Sequence, residues 1–189
     1  MQTVEAPRER GFRAGLSRLA VTATVLGAAG AAAGFGYLRI TGLRGEPTPG
    51  RLETVVARAA RSVAIPGEVK ARTNPLSGSS DALAPGLEHF AKFCAMCHAN
   101  DGSGLKTAIG IGLYPKPPDL RAELTQNLTD GELFWIIENG VRFTGMPAFG
   151  IGPHSEAGDR QVWQLVYFIR HLPKITPDEI EWMESLNPL

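Results

Sequence analysis

The apolar positions of this chain fall into one uninterrupted run followed by a series of helical stripes. Residues 19–38, LAVTATVLGAAGAAAGFGYL, carry no charge and are framed by Arg18 and Arg39. Twenty helical residues reach about 30 Å, the thickness of a bilayer core. Leu52, Val55, Val56, Ala59 and Val63 then stripe one face of a helix, with Arg51, Arg58 and Arg61 on the other side. Leu83, Leu87, Phe90, Cys94 and Cys97 recur at the same period. Thr129 and Glu132 have capping-box spacing for a helix carrying Leu133, Ile136 and Ile137 and stopped at Gly140. Asp159 can cap a further helix over 160–171, apolar from Val162 to Ile169 except at Gln164. Thr176-Pro177-Asp178-Glu179 opens the last one, with Ile180 and Met183 on one face. The expected class is all-α: a small helical domain preceded by one transmembrane helix.

This pattern divides the chain into a cytoplasmic N-terminal segment (1–18), an anchor (19–38), a linker with an amphipathic helix (39–79), a globular domain (80–173) and a helical tail (174–189). A cleaved signal peptide competes with the anchor, since Ala29-Gly30-Ala31 and Ala31-Ala32-Ala33 are small-residue cleavage sites. Length and the lack of an early polar break favour the anchor. Arginines lie on both sides of the run, so the positive-inside rule does not orient it. Gly30-x-x-x-Gly34 has the spacing of a helix-dimerisation motif, which arises easily in so Gly/Ala-rich a segment. The linker helix has three places to go: onto the domain, among lipid headgroups, or nowhere, as a spacer.

Composition adds an asymmetry. The formal net charge is zero, yet residues 1–72 hold 11 basic and 5 acidic residues, while 73–189 hold 8 and 14. Four of the negatives, Asp178, Glu179, Glu181 and Glu184, sit in the tail, which reads as a solvated one. No basic stripe accompanies aromatic residues, which excludes nucleic acid as a partner.

The chemistry is concentrated in Cys94-Ala95-Met96-Cys97-His98, which holds both cysteines of the protein. At C-x-x-C-H spacing the thiols stand about one helical turn apart and can each add to a vinyl group of a porphyrin edge. The adjacent imidazole is then carried beneath the iron. A thioredoxin-like pair would need a strand-helix-strand context. A structural zinc needs four ligands, and a second cysteine pair is missing. A disulfide closing two residues removes little chain entropy. Met146 lies 48 residues after His98, between Gly145 and Pro147, on a loop that can push a soft thioether toward the open face of an iron. Between the first and second domain helices, residues 100–128 are rich in Gly and Pro and too long for an ordinary connection.

On these residues the chain resembles the class I c-type cytochromes, over about 80–173. The resemblance implies the class I cytochrome c fold around one haem c, covalent through Cys94 and Cys97, with His98 and Met146 as iron ligands. It implies that a proline carbonyl accepts from the His98 ring, fixing its orientation. Pro118 is chosen, with Pro115 and Pro117 as rivals. It also implies a close crossing of the first and last helices, Gly86 and Phe90 facing Trp163 and Tyr167. Location follows from the haem: inner membrane, single pass, with the haem domain in the periplasm.

The resemblance implies one-electron transfer by a membrane-tethered monohaem carrier rather than catalysis. Its partners are a redox donor and acceptor, themselves membrane-associated. The alternative is a haem-bearing electron-entry subunit of a larger oxidoreductase. A di-haem peroxidase would need a second attachment motif. Of the other histidines, His154 could replace Met146 but reads as a surface residue; His89 lies on the first domain helix, and His171 suits a helix C-terminus.

Overall fold

The computed structural model describes residues 7–42, 44, 48–104, 107–150 and 155–187. Among them the fold is all helical, without strands. The chain divides into two compact units, Met1–Arg44 and Gly45–Leu189.

The first unit is α1, Pro7–Thr41. Its apolar stretch Gly15–Thr41, 27 residues, is long and apolar enough to cross a membrane, and none of that stretch is buried against protein. The helix therefore runs beyond the uncharged 19–38 at both ends. Its threonine hydroxyls are satisfied within the helix: Thr22 and Thr24 donate to the Arg18 and Ala20 carbonyls, each at 2.9 Å. Such back-bonding removes polar groups that hydrocarbon could not solvate.

The second unit opens with α2 (Arg51–Ala64) and α3 (Gly67–Lys70). The domain core follows: α4 (Leu83–Phe93), α5 (Ala95–His98), α6 (Ala108–Gly112), α7 (Glu123–Gln126), α8 (Asp130–Asn139), α9 (Glu156–His171) and α10 (Pro177–Leu186). Helix α8 begins with the expected Thr129–Glu132 capping box and ends at Gly140, φ 66°. Helix α9 starts a turn earlier than expected. Ser155, not Asp159, is its cap, accepting from the Gly158 amide at 3.1 Å.

The central contact is α4 across α9. A Cβ on Gly86 would lie 2.3 Å from the Gln164 carbonyl oxygen and 3.2 Å from Phe168 Cβ, so only glycine allows this approach. Beside it the Phe90 and Phe168 rings pack with centroids 5.0 Å apart. The aromatic partner of this crossing is thus Phe168, where Trp163 and Tyr167 were expected. Trp163 turns instead to α8, its ring 4.3 Å from Phe134, and the Arg72 guanidinium lies over both rings.

Two segments expected outside the domain are built into it. Helix α10 packs on α4, Met183 is fully buried, and Asn187 donates to the Ala91 carbonyl at 2.6 Å. Of the acidic residues that suggested a solvated tail, Asp178, Glu181 and Glu184 are exposed, while Glu179 is half-buried against His171 of α9. In the linker, Ile65 and Asn74 are buried, and Asn74 donates to the Trp163 carbonyl at 2.9 Å. Helix α3 lies so close to α8 that a Cβ on Gly131 would sit 1.8 Å from the Val69 carbonyl oxygen.

Candidate haem site

Helix α4 carries the pentapeptide to its place and breaks there. Cys94 still donates its amide to the Phe90 carbonyl (2.8 Å), but its φ of −103° departs from helical geometry, and α5 forms a separate single turn. Cys97 and His98 both donate to the Cys94 carbonyl, at 3.1 and 2.9 Å. This keeps the two thiols one turn apart, with Ala95 wholly buried beneath them. Ala99, φ 60°, then turns the chain away.

The long 99–122 loop folds back over this turn. Gly104 donates to the His98 carbonyl at 2.9 Å, and Leu120 to the Gly102 carbonyl at 2.9 Å. Gly104 has φ +75°, and a Cβ there would fall 2.6 Å from the Pro117 oxygen and 2.9 Å from that of Pro118. Thr107 caps α6 by accepting from Gly110, where a Cβ would meet the Cys97 oxygen at 2.6 Å. Arg121 braces the far end, forking onto Asp119 (2.9 Å) and reaching Asp101 (3.3 Å). Its hydrogen bonds hold the Asp119 carboxyl below the usual range, against the opposing effect of burial.

Within this wrap the His98 ring is set at a tilt to Phe90, centroids 6.4 Å apart. Burial lowers its pKa, which favours the neutral imidazole that a metal takes, and the Pro118 carbonyl opposes that shift. Nδ1 is buried and makes no hydrogen bond of ordinary geometry. The two observations describe a carbonyl close enough to act on the ring but short of an aligned bond.

Cys94 and Cys97 are not joined to one another. Burial, and then Cys97, push the Cys94 thiol up to about 12, and burial raises Cys97 too. A disulfide-exchanging pair needs the opposite, a lowered thiol. Among the described residues no group of three or more His, Cys, Asp or Glu could cage a metal ion.

Met146 sits at the rim of the core on a short, closed loop. Val141 donates to the Met146 carbonyl (3.1 Å), and the Thr144 hydroxyl both donates to the Val141 carbonyl (2.7 Å) and accepts from the Met146 amide (3.1 Å). Gly140 is required at the neck, where a Cβ would lie 2.6 Å from Pro147. Gly145 packs on Leu113, from the same loop that covers Cys97 and brings Pro118 to His98. One loop therefore touches both the His98 side and the Met146 side. His154 lies outside the described residues.

Two thiols, a buried imidazole and a thioether on a pinned loop are a donor set that suits a covalently held haem. Residues 81–169 match the family model described as cytochrome c oxidase, cbb3-type, subunit III. This stretch is a class I c-type cytochrome domain. A domain of this kind implies covalently bound haem c and electron transfer. The match encloses the pentapeptide, Pro118 and Met146 and stops before α10. No curated protein matches the chain.

Sequence reasoning missed Gly104, Gly110, Thr107 and Arg121. The only signal was a Gly-rich loop of unusual length. What each glycine must approach lies far away in the chain.

Proposed function

We propose that this protein is a monohaem electron carrier held at the inner membrane by α1, with the cytochrome domain in the periplasm. Cys94 and Cys97 are the attachment thiols, and no other cysteine is present for a second haem. His98 and Met146 would hold the haem iron. Haem c, when bound, supplies an iron that alternates between ferric and ferrous states. The chain's own part would be to hold that iron and to shield it. His98 presents a neutral ring, Pro118 orients it through Nδ1, and Met146 contributes a soft sulfur that favours the ferrous state. The observation that carries the reading is the 107–118 loop, which packs against the pentapeptide at Gly110 and against the Met146 loop at Leu113.

A redox-linked absorption spectrum tests it. We expect a low-spin spectrum, a sulfur-to-iron charge-transfer band in the ferric form, and haem that stays with the polypeptide through acid-acetone extraction. Complete loss of haem to the solvent would overturn covalent attachment. Absence of the charge-transfer band would overturn Met146. Membrane fractionation with intact-mass measurement tests the anchor, and a soluble form starting near residue 32 or 34 would overturn it.

The second reading is a haem-bearing electron-entry subunit of a larger oxidoreductase. The family description, an oxidase subunit, favours it. Gentle detergent extraction separates the two, because a dedicated subunit comigrates with a catalytic partner and a free carrier does not.

A further inference from the structure

Helix α2 is amphipathic the wrong way round for a soluble protein. Its apolar stripe is bare: Leu52 is 78% exposed, Val55 64%, Val56 57% and Val63 87%. Its half-buried residues are the polar Thr54 and Arg61, seven positions apart and on the opposite side. Burial and Arg58 lower the Arg61 pKa, with Glu132 of α8 acting against them, so Arg61 lies toward the domain. The helix is also fixed in this attitude. Ile65, just past its end, is buried in the domain. Lys70 donates to the Ser62 carbonyl at 2.6 Å, and the Tyr114 hydroxyl to Glu53 at 2.5 Å.

Something apolar must therefore meet the outer face. The chain itself limits what that is, since only residues 42–50 separate α2 from the end of α1. Nine residues reach about 30 Å at most, so a helix tethered to a membrane anchor stays near the bilayer surface. Arg51 and Arg58 flank the apolar stripe, and Arg44 precedes it, which suits anionic headgroups.

We propose that α2 lies in the headgroup layer of the membrane, its stripe Leu52-Val55-Val56-Val63 turned into lipid and Arg51 and Arg58 on anionic phospholipid. This rests on the retained anchor of the proposed function. It makes the linker a second membrane contact that holds the cytochrome domain at a set height, rather than a free tether.

The test uses the full-length holoprotein in vesicles of phosphatidylcholine, with and without phosphatidylglycerol. With both native thiols consumed as thioethers, Val56→Cys and Ala57→Cys each offer one site for a nitroxide, and the wild-type chain should take none. Ala57 is exposed but lies off the apolar stripe. With the iron reduced, relaxation by oxygen is compared with relaxation by a water-soluble nickel chelate. We expect oxygen to dominate at position 56 and nickel at position 57, with the contrast widening when phosphatidylglycerol is present. Nickel dominating at both positions overturns the proposal. So does shielding of position 56 from both reagents, which would mark a protein partner or a second copy. A carbonate wash of the same vesicles separates the failures. Protein released by carbonate overturns the anchor together with this proposal, whereas retained protein with a water-exposed position 56 overturns this proposal alone.

Discussion

At the scale of single residues, the sharpest lever is the sulfur of Met146. Its loop is closed by hydrogen bonds from Val141, Thr144 and Met146 itself, none of which needs the thioether. Met146→Ala should therefore leave the loop standing and open the iron. We expect carbon monoxide or cyanide to bind readily and the potential to fall, because a ligand favouring ferrous iron is gone. Retention of the wild-type charge-transfer band would place the sixth ligand elsewhere. Gly104 is the complementary lever on the other side. Gly104→Ala puts a Cβ into the Pro117 and Pro118 oxygens at a positive φ, and must move that carbonyl away from His98. With that carbonyl farther off, the ring is a weaker base and supports ferric iron less. The potential should rise while the low-spin spectrum is kept, a split that redox titration resolves. The residues proposed to hold the haem could be picked out because their chemistry is local: five consecutive residues, and a Met between Gly and Pro. Gly104 could not, because its need to be glycine depends on a backbone 13 positions away in the chain.

At the scale of elements, helical period located the longer helices, with the cap of α9 misplaced at Asp159, and composition misled about where one of them goes. Helix α10 carries four acidic residues, which suggested a solvated tail, but a single methionine decides its place. Period alone cannot distinguish a helix lying on a surface from one held by one deep side chain. Met183→Ala should cost roughly 2–5 kcal/mol, the range for emptying a large core site, measured by thermal or denaturant unfolding of the holoprotein. Only a surface-level effect, below about 0.5 kcal/mol, would mean that α10 is not part of the cooperative core. The same helix carries a pH dependence. Burial alone would raise the Glu179 pKa, but the Thr176 amide and the His171 ring, with the Thr176 hydroxyl, outweigh it and lower it below 4.5. His171 sits 2.9 Å away at the end of α9. A carboxyl depressed in the folded state stabilises the fold above its unfolded pKa, and that contribution fades as pH falls through the folded value. Wild type should therefore exceed Glu179→Gln in Tm at neutral pH and lose that advantage progressively below about pH 4.5. An advantage that does not change as pH falls, or is absent at pH 7, would remove Glu179 from the docking of α10.

At the scale of the whole molecule, the cytochrome domain has two kinds of structure that depend on haem to different degrees. The α4–α9–α10 crossing is closed by large side chains, with Phe90, Phe168, Leu165, Val166 and Met183 almost wholly buried. The 99–122 and 140–150 loops are different. They are held by backbone hydrogen bonds, close glycine contacts and half-buried ion pairs. Neither loop has a substantial apolar core of its own, with Ile109, Ile111 and Phe143 exposed. Haem attached at α5 and held by Met146 from the 140–150 loop would contribute folding free energy much as a structural metal does. A Cys94→Ser/Cys97→Ser double variant, exported without haem, should therefore lose its fixed fold in a definite order. Its helical signal should be weak, and proteolysis should cut first within 99–122 and 140–150, before the segments that form α4 and α9. Limited proteolysis with mass mapping, beside a thermal melt, reads both. A cooperative transition like that of the holoprotein, or first cuts inside α4 or α9, would show that the polypeptide core rather than the cofactor holds the loops in place.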